Sequence, residues 1–174
     1  MSQATNGFVA NRASAPAEVQ DKRQFVTFAL GEQLYCVDIM SVREIRVSNV
    51  ITALPGAPDF VRGVINLRGT IVPVCDLRSR FGQGKTELTG NNAVVIVAIN
   101  DRLTGLLVDE VCDILTASDR EFSAIPETDS NRRNPFFHGL ITQADSMLIV
   151  VSLERLTESF ASSGHAGAGA ATVQ

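Results

Sequence analysis

The residues able to do chemistry in this chain are few, and their spacing suits little of it. Cys36, Cys75 and Cys112 could supply thiolate nucleophiles or metal ligands. No Cys-x-x-Cys pair occurs, and each cysteine sits in an apolar, strand-like run, which reads as three reduced core thiols. His165 lies in a Gly/Ala-rich stretch where nothing would orient it. His138 alone cannot assemble a zinc site without Cys/His spacing. Asp109, Glu110 and Asp113 could be imagined as an acid pair, although acidic residues at strand ends are usually exposed turn formers. Gly84-Lys85-Thr86 has the look of the end of a phosphate-binding loop. The full pattern needs a glycine five positions before Gly84, where Ser79 stands, and the continuation Glu87-Leu88-Thr89-Gly90-Asn91-Asn92 is turn-like rather than helical. The serines lack a G-x-S-x-G elbow. No catalytic constellation emerges, and neither a cofactor nor a metal is implied.

The elements that would position a site are short strands. The 174 residues suit one domain, and 45% hydrophobic content is enough for a core. A formal charge of −4 with scattered basic residues gives no footprint for nucleic acid. The longest unbroken apolar run, Ala93 to Ile99, is far below the ~20 residues a membrane helix needs, so no direct membrane insertion is expected. No basic-then-apolar signal pattern opens the chain. Composition divides it into a flexible N-terminal tail (1–21), one domain (22–161) and a flexible Gly/Ala-rich C-terminal tail (162–174).

Within the domain, apolar residues alternate with period two. Phe25–Leu30 and Leu34–Ile39 flank Gly31-Glu32-Gln33 as a hairpin. Val64–Leu67 and Thr70–Leu77 flank Arg68-Gly69, with Pro73 pointing to an edge or a bulge. Ala93–Ile99 and Leu103–Asp109 flank Asn100-Asp101, which suits a tight turn. Val111–Thr116 adds a strand, and Phe136–Thr142 with Met147–Val151 closes the series. Ala93–Ile99 is apolar on both faces and should run between two layers of side chains. Helices are few: Pro58–Arg62 before Gly63, a turn capped by Asp76, and Leu153–Phe160 capped by Ser152. Nine or ten short strands with frequent turns predict a mainly all-β fold, a barrel or a sandwich.

Charged residues stand out inside apolar, β-rich stretches: Glu44 and Arg46 in Val42–Val47, and Arg68 in Gly63–Gly69. Such charges are either solvated on a wet strand face or paired at a contact surface. Four blocks here resemble the CheW family of chemotaxis adapters, in family order from about Phe25 to Phe160. They are Ile39–Arg46; Pro58–Leu77, with its N-L-R-G run into P-V-x-D-L; Gly105–Val111; and Gly139 followed by a turn and Met147–Val151. The resemblance implies two small five-stranded β-barrels around a shared hydrophobic core. It implies a non-enzymatic, cytoplasmic scaffold at membrane-associated receptor arrays, coupling chemoreceptor cytoplasmic tips to the regulatory domain of the chemotaxis histidine kinase. Rings in which CheW-like and kinase domains alternate are a further implication.

Carried over by motif position, Val42, Glu44, Gly63, Arg68 and Gly105 are expected to bind the receptor, in a groove between the barrels. Gly139 matches a glycine whose integrity matters in the family, for backbone shape. Ile51, Thr52 and Leu54 correspond to a kinase-binding surface, and Ala53 departs from relatives with a larger or charged residue there. Ile51, Leu54 and Pro55 are apolar in a loop-like stretch, which fits either a partner site or a loop folded onto the core. An ion pair between Glu44 and Arg68 is expected to fix the groove. Three other readings stay open: an adapter of the same fold in a pili or second-messenger pathway, a small-molecule-binding β-barrel, and an enzyme using Asp109, Glu110 or Lys85.

Overall fold

The computed structural model of the chain describes residues 21–47, 51–126 and 134–163; the expected tails fall outside this range except for Asp21, Ser162 and Ser163. The elements are β1 (Lys22–Leu30), β2 (Gln33–Asp38), β3 (Val42–Val47), β4 (Val61–Leu67), β5 (Thr70–Asp76), α1 (Leu77–Arg80), β6 (Ala93–Ile99), β7 (Arg102–Val108), β8 (Glu110–Ser118), β9 (Phe122–Ser123), β10 (Phe137–Gln143), β11 (Ser146–Val151) and α2 (Leu153–Ser163).

Alternation and turn chemistry produce the hairpins where both signals coincide. Asn100 and Asp101 take φ of 49° and 63°, the paired positive values of a two-residue hairpin turn. The register then runs unbroken from Ala93 opposite Val108 to Ile99 opposite Arg102. Asp76 caps α1 by accepting the Ser79 N–H at 3.3 Å. Ser152 precedes α2 and accepts the Leu156 N–H through its carbonyl. The Phe160 side chain lies outside the described residues.

Two local expectations fail. Pro58–Arg62 is not a helix: the Val61 N–H donates to the Pro58 carbonyl at 2.9 Å in a single turn, and Val61 already begins β4. Five residues cannot offset the cost of nucleating a helix when a strand partner stands ready in β5. Pro73 is at neither an edge nor a bulge, because β5 lies between β4 and β7. The parallel ladder to β7 begins at Val74, so the proline falls just ahead of it.

The strands form a six-stranded sheet, ordered β8-β1-β2-β11-β10-β9, and a five-stranded sheet, ordered β3-β6-β7-β5-β4. The fold is mainly β with two units, as expected, but the ladders do not close into barrels among the described residues. The two-residue strand β9 brings one unit to six strands. Strands pair antiparallel except β2 with β11 and β5 with β7. The five-stranded sheet comes from one continuous stretch, whereas the six-stranded sheet combines both ends of the domain.

Packing follows from this arrangement. One core is shared: Phe28, Tyr35 and Val37 from one sheet meet Val95, Val97 and Leu106 from the other, with Leu77, Leu153 and Leu156 of the helices sealing it. A second core lies within the five-stranded sheet around Val72, Val74 and Ile96, and a third within the six-stranded sheet around Phe25, Cys36 and Ile141. Strand β6 contributes Val95 and Val97 to the shared core and Val94 and Ile96 to the second, the two-layer role expected for it. Each fully buried aliphatic side chain contributes ~1.5–3 kcal/mol, which makes these cores the main source of stability.

Cys36 and Cys75 are buried, and burial pushes both thiols up to about 12. Cys112 departs from the expected core position and is exposed. Its strand β8 is a sheet edge whose register with β1 shifts opposite Thr27 and Phe28, so apolar composition there does not translate into an inward face. Partial burial and then the carboxylates of Glu110 and Asp113 raise its thiol above the ordinary value. The native protein should therefore react with a maleimide at Cys112 alone, more slowly than an unstructured cysteine, and at all three thiols once denatured. Peptide mass mapping checks this, and native labelling of Cys36 or Cys75 would contradict the packing.

Candidate partner-binding site

Glu44 sits on β3, an edge of the five-stranded sheet. Arg68 sits in the β4–β5 turn with φ 49°, followed by Gly69 with φ 85°. The left-handed conformation is unfavourable by ~1–2 kcal/mol for a residue with a Cβ. The turn is held by the Asn66 side chain, whose Oδ1 accepts the Gly69 N–H at 2.8 Å. So placed, Arg68 donates from Nη2 to Glu44 Oε2 at 2.8 Å, the ion pair expected from the sequence. Arg46 donates from Nε to Glu44 Oε1 at 2.7 Å. One carboxylate is therefore gripped by two guanidinium groups, one from its own strand and one from the hairpin beside the opposite edge strand. The Arg68 hydrogen bond is the main cause that holds the Glu44 carboxyl below its ordinary value; desolvation opposes it, and the Arg46 hydrogen bond adds to the lowering. Arg68 is 72% exposed and Glu44 24%, so the clasp lies at the surface.

Other expected receptor residues do not present side chains there. Val42 is half-buried and packs on the shared core. Gly63 and Gly105 are buried, and so is Gly139, which was expected to matter for backbone shape. A Cβ at Gly105 would stand 2.8 Å from Val94 Cγ1 and 3.3 Å from Val74 Cγ2, inside the second core. A Cβ at Gly139 would stand 2.3 Å from Cζ of the Phe122 ring, which lies across the glycine and holds β9 on β10. Of the expected kinase residues, Thr52 bridges to Val64, Ile51 packs against the second core, and Leu54 is 51% exposed.

The structure adds a feature that the sequence reading missed. Ladder registers shift between Val42 and Glu44, between Val61 and Gly63, and between Phe137 and Gly139. Val42, Glu44, Gly63 and Gly139 thus all border bulges, devices that bend a strand and re-aim a side chain. The extra residue at the second bulge is Arg62, whose Nη1 reaches Asp76 Oδ2 at 3.3 Å. Also missed were Met40, Ile45 and Val47, large apolar residues exposed on or just before β3 beside the clasp. Alternation of Ile45 and Val47 with Glu44 and Arg46 reads as an inward apolar face, so nothing in the sequence signalled their exposure.

The phosphate-loop resemblance has a different explanation. Asp76 is completely buried and meets the end of this loop at Thr86. It accepts the Thr86 N–H at 2.8 Å and the Thr86 hydroxyl at 2.7 Å. Both Thr86 donors are thus committed to a buried carboxylate, which would repel a phosphate placed there. Among the described residues no group of three His, Cys, Asp or Glu side chains is placed to hold a metal, and no helix is long and apolar enough to cross a membrane. An open groove of about 750 Å³ lies between the β5–β7 side of the five-stranded sheet and α2, lined by Ile71, Pro73, Leu103 and Thr157 among others.

The comparisons with known proteins agree with this body. The family model of the CheW-like domain matches residues 24–161. The chain is 38% identical over 137 residues to a probable chemotaxis protein CheW of Rhizobium etli, covering 79% of this chain and 88% of that protein. It is 39% identical over 132 residues to the chemotaxis protein CheW of Rhizobium meliloti, covering 76% and 85%. It is also 28% identical to protein PilI of Pseudomonas aeruginosa, over 79% of this chain and 78% of that one. Among solved structures, the scaffolding protein TtCheW of Thermoanaerobacter tengcongensis superposes with a TM-score of 0.69 at 35% identity, covering 75% of this chain and 84% of that one. With a family match across most of its length and a shared two-sheet body, the chain belongs to the CheW-like family and is a chemotaxis adapter and scaffold.

Proposed function

We propose that the chain works in the cytoplasm, at membrane-associated receptor arrays, holding chemoreceptor cytoplasmic tips and the regulatory domain of the chemotaxis histidine kinase on different faces. The receptor meets the Glu44–Arg68 clasp, with Val42 and Gly105 supporting it from within. The kinase meets the Ile51–Leu54 segment. The adapter itself carries out no reaction and needs no cofactor; by binding both partners it raises the kinase's effective concentration at the receptor. Further CheW-like domains join it in rings. The observation that carries this reading is Arg68, kept in a left-handed turn while its exposed guanidinium reaches a carboxylate already held by Arg46. A strained turn on a solvated surface contributes little to stability, so its use lies in shape and charge offered to a partner.

Co-sedimentation of the purified chain with receptor-tip fragments and with the kinase regulatory domain tests the proposal. Binding to each alone, and recovery of all three in one pellet, is the expected result. Binding to neither would defeat it. Tip fragments from a chemotaxis receptor and from a pili-associated receptor, run side by side, decide which pathway is served, a choice raised by the likeness to PilI.

A further inference from the structure

We infer that Gly63 is a positioning residue for the Ile51–Leu54 surface, and not a point of receptor contact. Gly63 is buried, has φ 153° and borders the bulge in β4. A Cβ there would stand 2.1 Å from the Thr52 carbonyl oxygen, 2.7 Å from its carbon and 3.0 Å from Ile51 Cγ2. The two closest obstacles are backbone atoms of one segment, which cannot rotate aside as the end of a long side chain would. Next to the glycine, the Thr52 N–H donates to the Val64 carbonyl at 2.9 Å and the Val64 N–H donates to the Thr52 carbonyl at 2.8 Å. The missing side chain is therefore the seat that lets this segment lie flat along the outer edge of β4.

The far end of the segment is pinned as well. The Asp76 N–H donates to the Phe60 carbonyl at 2.7 Å, and the Ala57 N–H donates to the Leu54 carbonyl at 3.3 Å. Exposed Leu54 is thus held between two anchors, one of which depends on Gly63. Positive φ and close approach to another backbone are the two circumstances that demand glycine, and both occur at this position. Any side chain at 63 displaces Thr52 and, with it, the orientation of Leu54. The inference rests on the kinase role proposed for residues 51–54 and moves Gly63 from the receptor group to that surface.

The test is Gly63→Ala, read by hydrogen exchange and by separate titrations with the kinase regulatory domain and receptor-tip fragments. The amides of Thr52 and Val64 should lose protection, kinase affinity should fall about tenfold or more, and receptor affinity should stay within about twofold of wild type. Thr52→Pro deletes the N–H donated to Val64 and sets a ring carbon against that carbonyl while leaving the β4 sequence intact, and should reproduce the kinase loss even if the glycine variant folds poorly. Leu54→Ala should weaken kinase binding with protection unchanged. Retained protection in Gly63→Ala, full kinase affinity in Thr52→Pro, or loss confined to the receptor would overturn the inference. If the wild-type chain binds neither partner, the proposed function falls, and the exchange of Thr52 and Val64 still decides whether Gly63 seats the segment.

Discussion

Glu44→Arg is expected to weaken receptor-tip binding by about 30-fold or more, while the melting temperature stays within about 4 °C of wild type. The substitution turns one carboxylate between two guanidinium groups into three adjacent cations, so Arg68 loses the partner that aims it and the surface reverses its charge. Stability changes little because Arg68 and Arg46 are free to swing into water, where exposed ion pairs contribute little. Adding Arg68→Glu to this background should recover part of the binding, since a paired contact is then restored across the same edges. A parallel fall in binding and melting temperature, for this variant or for the milder Glu44→Gln, would mean that Glu44 acts through the core. The pH dependence has a definite sign. Glu44 has a folded-state pKa below its ordinary value of 4.5. The pair is therefore fully present above that ordinary value and is lost as pH falls through the lower, folded value. Receptor binding should stay flat from neutrality down to the ordinary carboxylate range and decline only below it, a profile that Glu44→Gln should abolish.

Asp76→Ala is expected to cost about 3–5 kcal/mol of folding stability, measured by urea unfolding. Asp76 is completely buried and accepts from the Thr86 N–H and hydroxyl, the Ser79 N–H and Arg62 Nη1. Removing it strands a partly buried guanidinium and the two buried Thr86 donors, an expensive way to break a charged network. Against a total of roughly 5–15 kcal/mol for a domain, such a loss is large. Asp76→Asn should cost less, because its carbonyl oxygen can keep one of the Thr86 bonds. A loss below about 1 kcal/mol for the alanine variant would show that water or relaxation satisfies the site.

The sequence reading succeeded where a pattern and a local chemical reason coincided. Period-two alternation with Asn100-Asp101 located the turn and the first strand of a hairpin to the residue and its second strand to within one, and Ala93–Ile99, apolar throughout, revealed a strand buried on both faces. Glu44 and Arg68 stood out as charges in apolar strands, and the family resemblance, by placing both at one groove, suggested their pairing. What stayed hidden depends on cross-strand register. Nothing in Val42-Arg43-Glu44 or Val61-Arg62-Gly63 announces a bulge, because a bulge is defined by the opposing strand, which is distant in sequence. Cys112 was misplaced for the same reason: composition does not say that β8 is an edge. Gly63, Gly105 and Gly139 were singled out through the family resemblance, while the atoms a Cβ would strike at each belong to tertiary structure alone.

The way the two sheets are threaded sets an order of assembly during synthesis. All of the strands β3 to β7 have left the ribosome once residue 108 is out, so that half can condense while translation continues. The other half starts with the β1–β2 ribbon and must wait through most of translation for β8, β10 and β11 to dock beside it. Until the second half docks against it, the inner wall of the first stays uncovered, because the shared core is made by side chains of both sheets, and the nascent chain depends on whatever shields apolar surface at the tunnel exit.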